Sequence, residues 1–379
     1  MNLYRKISKE KALNSHNHHG GEIYNSIPLY NSNHLIDFST NTNPLINPNH
    51  IKNAYMNSIN EIFRYPDTNS TKLKKDLRNY FSNKIKTENI IISAGSMNLI
   101  SIFCDIFVNP NEEVIICQPT FSEYSWAVQK NRGKIINIYR KPEKNFQIMS
   151  DSIIKAISSK SKIIFLCNPN NPSGLLENPK DLIKIINIAS KKDIFVFLDE
   201  AFIDFTGESN SFVSNISFYN NLFISRTFTK FFGIPGLRIG FGVSSSQIID
   251  IINKFQNLWP VSSIAQNIAG EMLRSSALIK ETLKLISEEY RFLLNELNQI
   301  PGLKIYPSQT NYILLNIEST GFSAPELKIK LLKEGILIRD CSNFEGLDNY
   351  FIRINIKTRD LNKKFIASLK EIMRSEKKI

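Results

Sequence analysis

One lysine of the sequence stands where its amine could act as a nucleophile. Lys230 follows an apolar run typical of a strand, and threonines and phenylalanines surround it in a turn marked by glycines. Burial among apolar groups lowers the pKa of a lysine, and the neutral amine can then form a Schiff base with a carbonyl compound. Thr227 and Arg238 flank the lysine at spacings suited to a phosphate, the first as a hydroxyl donor and the second as a charged, forked donor.

Three other polar segments also follow apolar runs. Asp199 ends one such run, where it could cap a turn or serve as counter-ion to a buried cation such as a protonated pyridine nitrogen. Residues 93–98 form a small-residue turn before a helix, and such turns offer free backbone N–H groups to anions. Residues 168–174 hold two prolines among asparagines, which indicates either a simple loop or a rigid one that presents an amide to a ligand.

The elements that must position these residues alternate between strands and helices. Helical periods, such as those of residues 97–107 and 180–190, separate the apolar runs. We predict strands at residues 89–93, 113–117, 134–139, 162–167, 193–198, 222–225 and 237–243. This alternation predicts an α/β fold with a mostly parallel central sheet and helices on both faces. Ligands bind beyond the carboxyl ends of strands in such sheets, which is where the polar segments lie.

A second, smaller unit is expected after residue 263. The pattern changes there to long helices, with a continuous helical period through residues 279–299. Strand-like pieces follow at residues 311–317, 335–339 and 350–356, and a closing helix begins at 360. We therefore predict three parts: residues 1–52 as an N-terminal arm and part of the small domain, 53–278 as the large domain, and 279–379 as the small α+β domain.

Composition limits the partners that we expect. The chain has 379 residues, 42% of them hydrophobic and 22% charged, and its longest apolar runs are too short to cross a membrane. Its net charge of +12 could suit nucleic acid, but the lysines are spread along the chain, which favours a solvated basic surface that attracts small anions. The four cysteines form no CxxC pair, so we expect no metal site and a reducing, cytoplasmic location. We predict neither nucleic acid nor membrane as a partner.

Three motifs, in this order, resemble those of the fold-type-I pyridoxal-phosphate (PLP) enzymes, the class I and II aminotransferases and their relatives. They are Asn-Pro-Asn-Asn-Pro-Ser-Gly at 168–174, Asp-Glu-Ala-Phe at 199–202, and Thr-Phe-Thr-Lys at 227–230 followed by Pro-Gly-Leu-Arg-Ile-Gly. The resemblance implies the PLP-dependent transferase fold, with PLP as cofactor on Lys230 as its Schiff-base lysine.

The same resemblance implies roles for further residues. Asp199 would pair with the pyridine nitrogen, Asn171 would hydrogen-bond the ring hydroxyl, and Phe121 would stack on the ring. Tyr65 would reach the cofactor phosphate of a neighbouring subunit, which implies a homodimer with shared active sites. The residues that would hold the phosphate of the same subunit are Gly95, Ser96, Met97, Thr227 and Arg238.

One subfamily is similar over nearly the whole chain. The His-Gly-Gly at 19–21 and the segments at 37–45 and 336–353 are similar to those of threonine-phosphate decarboxylases of cobalamin biosynthesis. Histidinol-phosphate aminotransferases share the cofactor motifs but usually lack the His-Gly-Gly opening and usually have tyrosine where this chain has Phe202. Two departures from the family pattern are Thr227 in place of the commoner serine, and Ser-Ala at 93–94 in place of Gly-Asn.

The subfamily resemblance also implies a set of substrate contacts. Arg353 would bind the α-carboxylate of a small phosphorylated amino acid and Arg339 its phosphate, although the two roles could be exchanged. The other substrate-binding residues implied are His19, Gly20, Asn43 and Asn171.

We consider four functions. The first is a lyase that decarboxylates O-phospho-L-threonine, or O-phospho-L-serine, to aminopropanol phosphate or ethanolamine phosphate for cobalamin biosynthesis. The second is an aminotransferase of the histidinol-phosphate type that uses 2-oxoglutarate. A DNA-binding regulator with a PLP fold would need a helix-turn-helix module, which we do not find. A dinucleotide oxidoreductase is disfavoured because residues 233–236 do not form a GxGxxG turn.

Overall fold

A seven-stranded sheet forms the centre of the molecule. The computed structural model describes residues 20–21 and 35–375. The sheet has the order β2-β8-β7-β6-β5-β3-β4, and only β8 runs antiparallel to its neighbours. Its strands are β2 (Ile90–Ser93), β3 (Glu113–Gln118), β4 (Lys134–Tyr139), β5 (Ser161–Cys167), β6 (Phe195–Asp199), β7 (Leu222–Thr227) and β8 (Gly240–Val243). The predicted α/β fold with a mostly parallel sheet is confirmed, and each strand lies within a few residues of its predicted position.

Both faces of this sheet are covered by helices, because successive strand residues point to opposite sides. Ile115 of β3 packs in one apolar cluster with Leu182 and Ile185, whereas its neighbour Ile116 packs in another cluster with Phe103. The helices are α1 (Pro48–Ser58), α2 (Thr71–Tyr80), α3 (Ser96–Phe107), α4 (Glu123–Lys130), α5 (Ser150–Lys155), α6 (Pro179–Ser190), α7 (Ser246–Phe255), α8 (Ser263–Arg274), α9 (Ser276–Leu297), α10 (Ala324–Lys333) and α11 (Arg359–Ser375). The core is therefore continuous on either side of the strands.

A separate four-stranded antiparallel sheet has the order β12-β13-β10-β9. Its strands are β9 (Lys304–Ile305), β10 (Tyr312–Asn316), β12 (Arg339–Asp340) and β13 (Phe351–Asn355). Helices α9 and α11 contribute apolar side chains such as Leu293 and Phe365 to its packing. The domain boundaries expected from the sequence remain a prediction.

The prediction of one continuous strand at residues 335–339 was wrong, because the segment forms two short strands. The chain changes its hydrogen-bonding partner at Ile338, so that β11 (Ile336–Leu337) pairs in parallel with β1 (Ile36–Asp37), while β12 pairs with β13. This change of partner ties β1 to the edge of the small sheet. It also places the loop that follows β1 beside Arg339.

A buried ion-pair cluster lies away from the cavity described below. The guanidinium of Arg226 is ion-paired with Asp204 and Glu208 and lies over the ring of Phe81. All four cysteines are free and buried. Within the described residues, no helix is both long enough and apolar enough to cross a bilayer.

Candidate active site

A cavity of about 240 Å³ lies where three parallel strands of the central sheet end. Cys167, Asp199 and Thr227 are the last residues of β5, β6 and β7, and all three line it. Binding at the carboxyl ends of strands is the rule for open α/β sheets. Residues from the small sheet and from the loop after β1 close the other side, among them Ser39, Thr40, Asn41, Arg339 and Arg353.

Most of the predicted site residues meet in this cavity. Those that line it are Gly20, Ser96, Met97, Phe121, Asn171, Asp199, Thr227, Lys230, Arg238, Arg339 and Arg353. Tyr65 does not line it but is exposed at the surface, where its ring stacks on Trp259 at 4.3 Å between centroids. His19 lies outside the described residues.

Asn43 is not brought to the cavity. Its side-chain nitrogen donates to the carbonyl of Phe231 and to Oγ1 of Thr282, both at 2.8 Å, and its oxygen accepts from the backbone of Leu45. Because these bonds use both amide hydrogens, the structure gives no support to its predicted contact with a substrate phosphate. Asn41, two residues earlier, is the asparagine of this segment that lines the cavity.

Lys230 is half-buried in the cavity, with its amine 5.7 Å from the centre of the Phe202 ring. Burial, together with the positive charges of Arg353 and Arg238, lowers its pKa to about 8, and Asp199 only partly opposes them. A substantial fraction of the amine is therefore neutral near physiological pH. This is the state in which a lysine attacks a carbonyl carbon.

Two hydrogen bonds hold the carboxylate of Asp199 in a fixed orientation. The hydroxyl of Tyr124 donates to its Oδ2 at 2.6 Å, and the backbone N–H of Ala201 donates to its Oδ1 at 3.0 Å. Burial raises the pKa of this carboxyl despite those two bonds. A buried carboxylate of this kind is stabilised by a cation in the cavity, such as the protonated nitrogen of a heterocycle.

The N-terminus of α3 and Arg238 form a cradle of anion-binding groups. Gly95, with φ of 87°, precedes α3 and leaves the first N–H groups of the helix free to bind a ligand. A Cβ at Gly95 would lie 3.1 Å from Nη2 of Arg238, and a Cβ at Gly240 would lie 2.9 Å from the backbone nitrogen of Ser96. Side chains at either glycine would therefore fill the cradle. Its donors suit a phosphate group.

Two arginines face each other on neighbouring strands at the opposite side of the cavity. Arg339 of β12 and Arg353 of β13 are direct cross-strand partners. Like charges in this arrangement destabilise a sheet unless an anion lies between them. Among the described residues, neither guanidinium has a carboxylate partner; Arg339 donates to Asn343 at 2.6 Å and Arg353 to Asn171 and to the carbonyl of Ser39.

The environment of Arg353 also indicates an anionic ligand. Its Nε is buried without a hydrogen-bond partner among the described residues, and its guanidinium lies 5.1 Å from the centre of the Tyr312 ring. Burial, with a further contribution from Arg339, lowers its pKa. The cavity thus contains a lysine with a lowered pKa, a buried carboxylate, a cradle of anion-binding groups and a second, separate pair of arginines.

Several residues of the site were missed by sequence reasoning. Tyr124 was given no role, and Ser39, Thr40 and Asn41 were noted in a motif without a role. Phe344, which lies 5.2 Å from the guanidinium of Arg339, was likewise unassigned. The motif at 37–45 was the only available indication of the loop, and it could not show which of its residues face the cavity.

Comparisons with known proteins agree with this geometry. The profile of the family "Aminotransferase class I and II" matches residues 33–369. The histidinol-phosphate aminotransferase of Methanosphaera stadtmanae is 35% identical over 339 residues, which cover 89% of this chain and 90% of that protein. The crystal structure of the histidinol-phosphate aminotransferase from Clostridium acetobutylicum has a TM-score of 0.83 and 34% identity, with 90% of this chain and 100% of that one covered.

A solved L-threonine-O-3-phosphate decarboxylase, from Porphyromonas gingivalis, is also similar, with a TM-score of 0.76, 26% identity, and coverage of 89% and 99% of the two chains. Its identity is lower than that of the two aminotransferases above, and curated relatives at 31 to 35% identity over most of the chain are named histidinol-phosphate aminotransferase. The prediction of a decarboxylating lyase of cobalamin biosynthesis was therefore wrong. That prediction depended on the His-Gly-Gly opening, the segments at 37–45 and 336–353, and Phe202, and the similarity along the whole chain outweighs them.

The lysine, the carboxylate and the phosphate cradle fit the carbonyl, ring nitrogen and phosphate of PLP. The family that matches most of the chain depends on this cofactor, so PLP is the cofactor of this protein. The chain belongs to the class I and II aminotransferase family.

Proposed function

We propose that the protein is an aminotransferase that acts on a phosphorylated amine of the histidinol-phosphate type, with 2-oxoglutarate as amino acceptor. The observation that carries this proposal is the pair of opposed arginines, Arg339 and Arg353, in the same cavity as Lys230. The cofactor cradle is a separate group of donors, so these arginines are available to the substrate. The names of the relatives at 31 to 35% identity support the choice of substrate.

The residues of the cavity have separate roles in cofactor binding and in proton transfer. PLP, when bound, supplies an electrophilic carbon for the substrate amine and a ring that withdraws electrons from the substrate's α-carbon. Arg238, Thr227 and the N-terminus of α3 hold the phosphate, and Asp199 keeps the ring nitrogen protonated. Lys230 acts as the base that removes the proton from the substrate's α-carbon and later returns it, because its lowered pKa leaves the amine partly neutral.

Anion binding explains how one cavity serves both substrates of a transamination. Four basic residues line the cavity, and Asp199 is the one carboxylate among the described residues that do so. The basic residues are Lys230, Arg238, Arg339 and Arg353. The two arginines of the small sheet can bind a phosphate ester in one half-reaction and a carboxylate of 2-oxoglutarate or glutamate in the other, since guanidinium groups pair with both.

We further propose that the enzyme is a homodimer in which Tyr65 contributes to the site of the other subunit. Tyr65 is 79% exposed and does not line the cavity of its own chain. It ends a stripe of exposed apolar side chains at helical spacing, which we name the N-terminal apolar face. Its members are Tyr55, Met56, Ile59, Ile62, Phe63 and Tyr65. Large exposed apolar surfaces of this kind mark protein–protein contacts.

The test is a substrate comparison with PLP-loaded protein. We expect glutamate to form from 2-oxoglutarate when L-histidinol phosphate is the amino donor, and no glutamate to form with the Lys230→Ala variant. L-Histidinol without its phosphate should react far more poorly, because the arginine pair loses its anion. Equal rates with and without the phosphate, or CO₂ release from O-phospho-L-threonine in the absence of a keto acid, would contradict the proposal.

A further inference from the structure

We propose that Asp37 is a positioning residue for substrate binding: it folds the loop that follows β1 and thereby orients Arg353 toward its anionic ligand. The inference rests on the proposed function in one respect, namely that Arg353 binds the anionic group of the substrate. Asp37 does not itself line the cavity. We name residues 37–41 the β1 loop.

The carboxylate of Asp37 organises the β1 loop through four hydrogen bonds. Its Oδ1 accepts from the backbone N–H and the hydroxyl of Ser39, at 2.7 and 2.6 Å, and from the backbone N–H of Thr40 at 3.3 Å. Its Oδ2 accepts from the hydroxyl of Thr40 at 2.7 Å. Both oxygens of one side chain therefore fix two consecutive residues that line the cavity.

The β1 loop in turn holds Arg353. The carbonyl of Ser39 accepts from Nη2 of Arg353 at 3.2 Å, while Asn171 accepts from Nη1. These two contacts set the plane of the guanidinium over the ring of Tyr312. The hydroxyl of Ser39 also accepts from the backbone N–H of Gly21 at 2.9 Å, so the same loop anchors the chain at residues 20–21.

The effect of Asp37 is directed to the substrate side of the cavity. Among the described residues, hydrogen bonds join the β1 loop to β11, β13 and residue 21, and none joins it to the turn at 93–98 or to the side chain of Lys230. A neutral amide at position 37 would keep one acceptor oxygen, and its NH₂ group could only donate to the hydroxyl of Thr40. The hydrogen bonds that fold the β1 loop would all lose the negative charge, and bonds to a charged acceptor are roughly twice as strong as neutral ones. Removing this support should therefore weaken substrate binding and leave cofactor binding intact.

The experiment compares Asp37→Asn with Asp348→Asn. Asp348 is a matched control because it also accepts from a backbone N–H two residues ahead, that of Tyr350, but lies outside the cavity. On PLP-loaded dimer, calorimetry would measure the Kd of inorganic phosphate, and kinetics would measure KM and kcat for L-histidinol phosphate. Absorbance would measure the Kd of PLP.

We expect Asp37→Asn to raise KM and the phosphate Kd by about 10-fold, with kcat and the PLP Kd changed less than about twofold. Asp348→Asn should change none of the four. In an Arg353→Met background, Asp37→Asn should add less than about twofold to the phosphate Kd, because the residue through which it acts is gone. An undiminished effect in that background, or a fall in kcat or PLP affinity as large as that in KM, would overturn the proposal.

A second variant and a substrate-independent measurement allow the test to be interpreted even if Asp37→Asn is unstable or the amine substrate is a different one. If Asp37→Asn lowers the Tm strongly, Thr40→Val removes a single bond to the carboxylate, and an unchanged phosphate Kd in that variant would count against the proposal. Phosphate binding does not depend on which amine is the substrate. Failure of L-histidinol phosphate as a donor would therefore contradict the proposed function, whereas the phosphate titration alone decides the role of Asp37.

Discussion

The groups around the amine of Lys230 have a net effect on its pKa. Burial and the charges of Arg353 and Arg238 disfavour the ammonium form, and Asp199 alone favours it. The pKa therefore falls from 10.5 to about 8 in the folded protein. Because the folded state binds its proton more weakly than the unfolded chain, the charged lysine opposes folding.

The pH dependence of this penalty follows from the two pKa values. Below about pH 8 the lysine is charged in both states and the full penalty applies; it declines between about 8 and 10.5 and vanishes above 10.5. We expect Lys230→Met to raise the Tm of the PLP-free protein at pH 7 by roughly 2 °C or more, and the gain to vanish at pH 10.5.

Thermal unfolding followed by circular dichroism at several pH values checks this prediction. Lys191→Met, at an exposed position after α6, is the control and should show no pH-dependent gain. A gain of the same size at pH 7 and pH 10.5 would mean that apolar packing, not the lysine charge, is responsible.

At the scale of residues, the sequence was informative where chemistry follows a strand directly. Lys230 and Asp199 could be predicted because a charged residue at the end of a buried apolar run is costly unless it has a partner or a function. The role of Tyr124 could not be predicted, because its hydrogen bond to Asp199 joins residues 75 positions apart and no local sequence pattern indicates it. The sequence also could not show that Asn41 rather than Asn43 faces the cavity, because both lie in one motif and only the path of the loop decides their positions.

At the scale of elements, the turn into α3 leads to a test of the phosphate cradle. Gly95 has φ of 87° and ψ of 165°, a region occupied almost only by glycine, and a Cβ there would press against Arg238. We expect Gly95→Ala to weaken PLP binding by about 10-fold or more, which corresponds to about 1.4 kcal/mol.

Gly207→Ala separates backbone strain from the contact with Arg238. Gly207 has nearly the same conformation, with φ of 89° and ψ of 146°, but a Cβ there would meet nothing within 4 Å. This variant should lose stability and keep its affinity for PLP, as measured by absorbance titration. Equal losses of PLP affinity in the two variants would rule out a specific role for the cradle.

The pairing of β12 with β13 predicts a stabilising effect of anions. Because Arg339 and Arg353 face each other without a carboxylate partner, inorganic phosphate should bind between them and raise the Tm of the PLP-loaded protein. At 100 times the Kd the stabilisation would be about 2.7 kcal/mol. Arg339→Leu should lose most of it, whereas Arg291→Leu, an exposed arginine of α9, should not. A Tm that rises equally in both variants would show that phosphate acts elsewhere.

Element positions were largely predictable, but their partners were not. Strands such as β3 and β5 are largely apolar runs because both of their faces are buried, and such runs are visible in the sequence. The division of residues 335–339 between two partners depends on β1 and β13, which are distant along the chain. Periodicity reports burial and does not report which strand pairs with which.

At the scale of the whole molecule, the N-terminal apolar face predicts the assembly state. Phe63 is 82% exposed, and a charge at its position would be buried in a dimer interface. We expect Phe63→Glu to weaken dimerisation by on the order of 30-fold, or about 2 kcal/mol, in sedimentation velocity experiments. Phe218→Glu is the control, because Phe218 is 76% exposed but lies outside that face. A dimer unaffected by Phe63→Glu would place the interface elsewhere.

The global function was the hardest property to predict. A pair of arginines such as Arg339 and Arg353 can bind an anion whether the bond broken next to the cofactor releases CO₂ or a proton, so the same residue types suit a decarboxylase and an aminotransferase. The choice depends on how the substrate is tilted in the cavity, which no motif encodes. Similarity along the whole chain was more informative than the His-Gly-Gly opening.

The burial of the four cysteines has a practical consequence. Burial raises the pKa of Cys104 and Cys167 to about 12 and that of Cys117 and Cys341 to about 11. Since only the thiolate reacts, the native enzyme should resist alkylation and peroxide and should need no reductant in storage. A cysteine would then be labelled only in a molecule that has unfolded around it, so the rate of labelling would report the rate of unfolding.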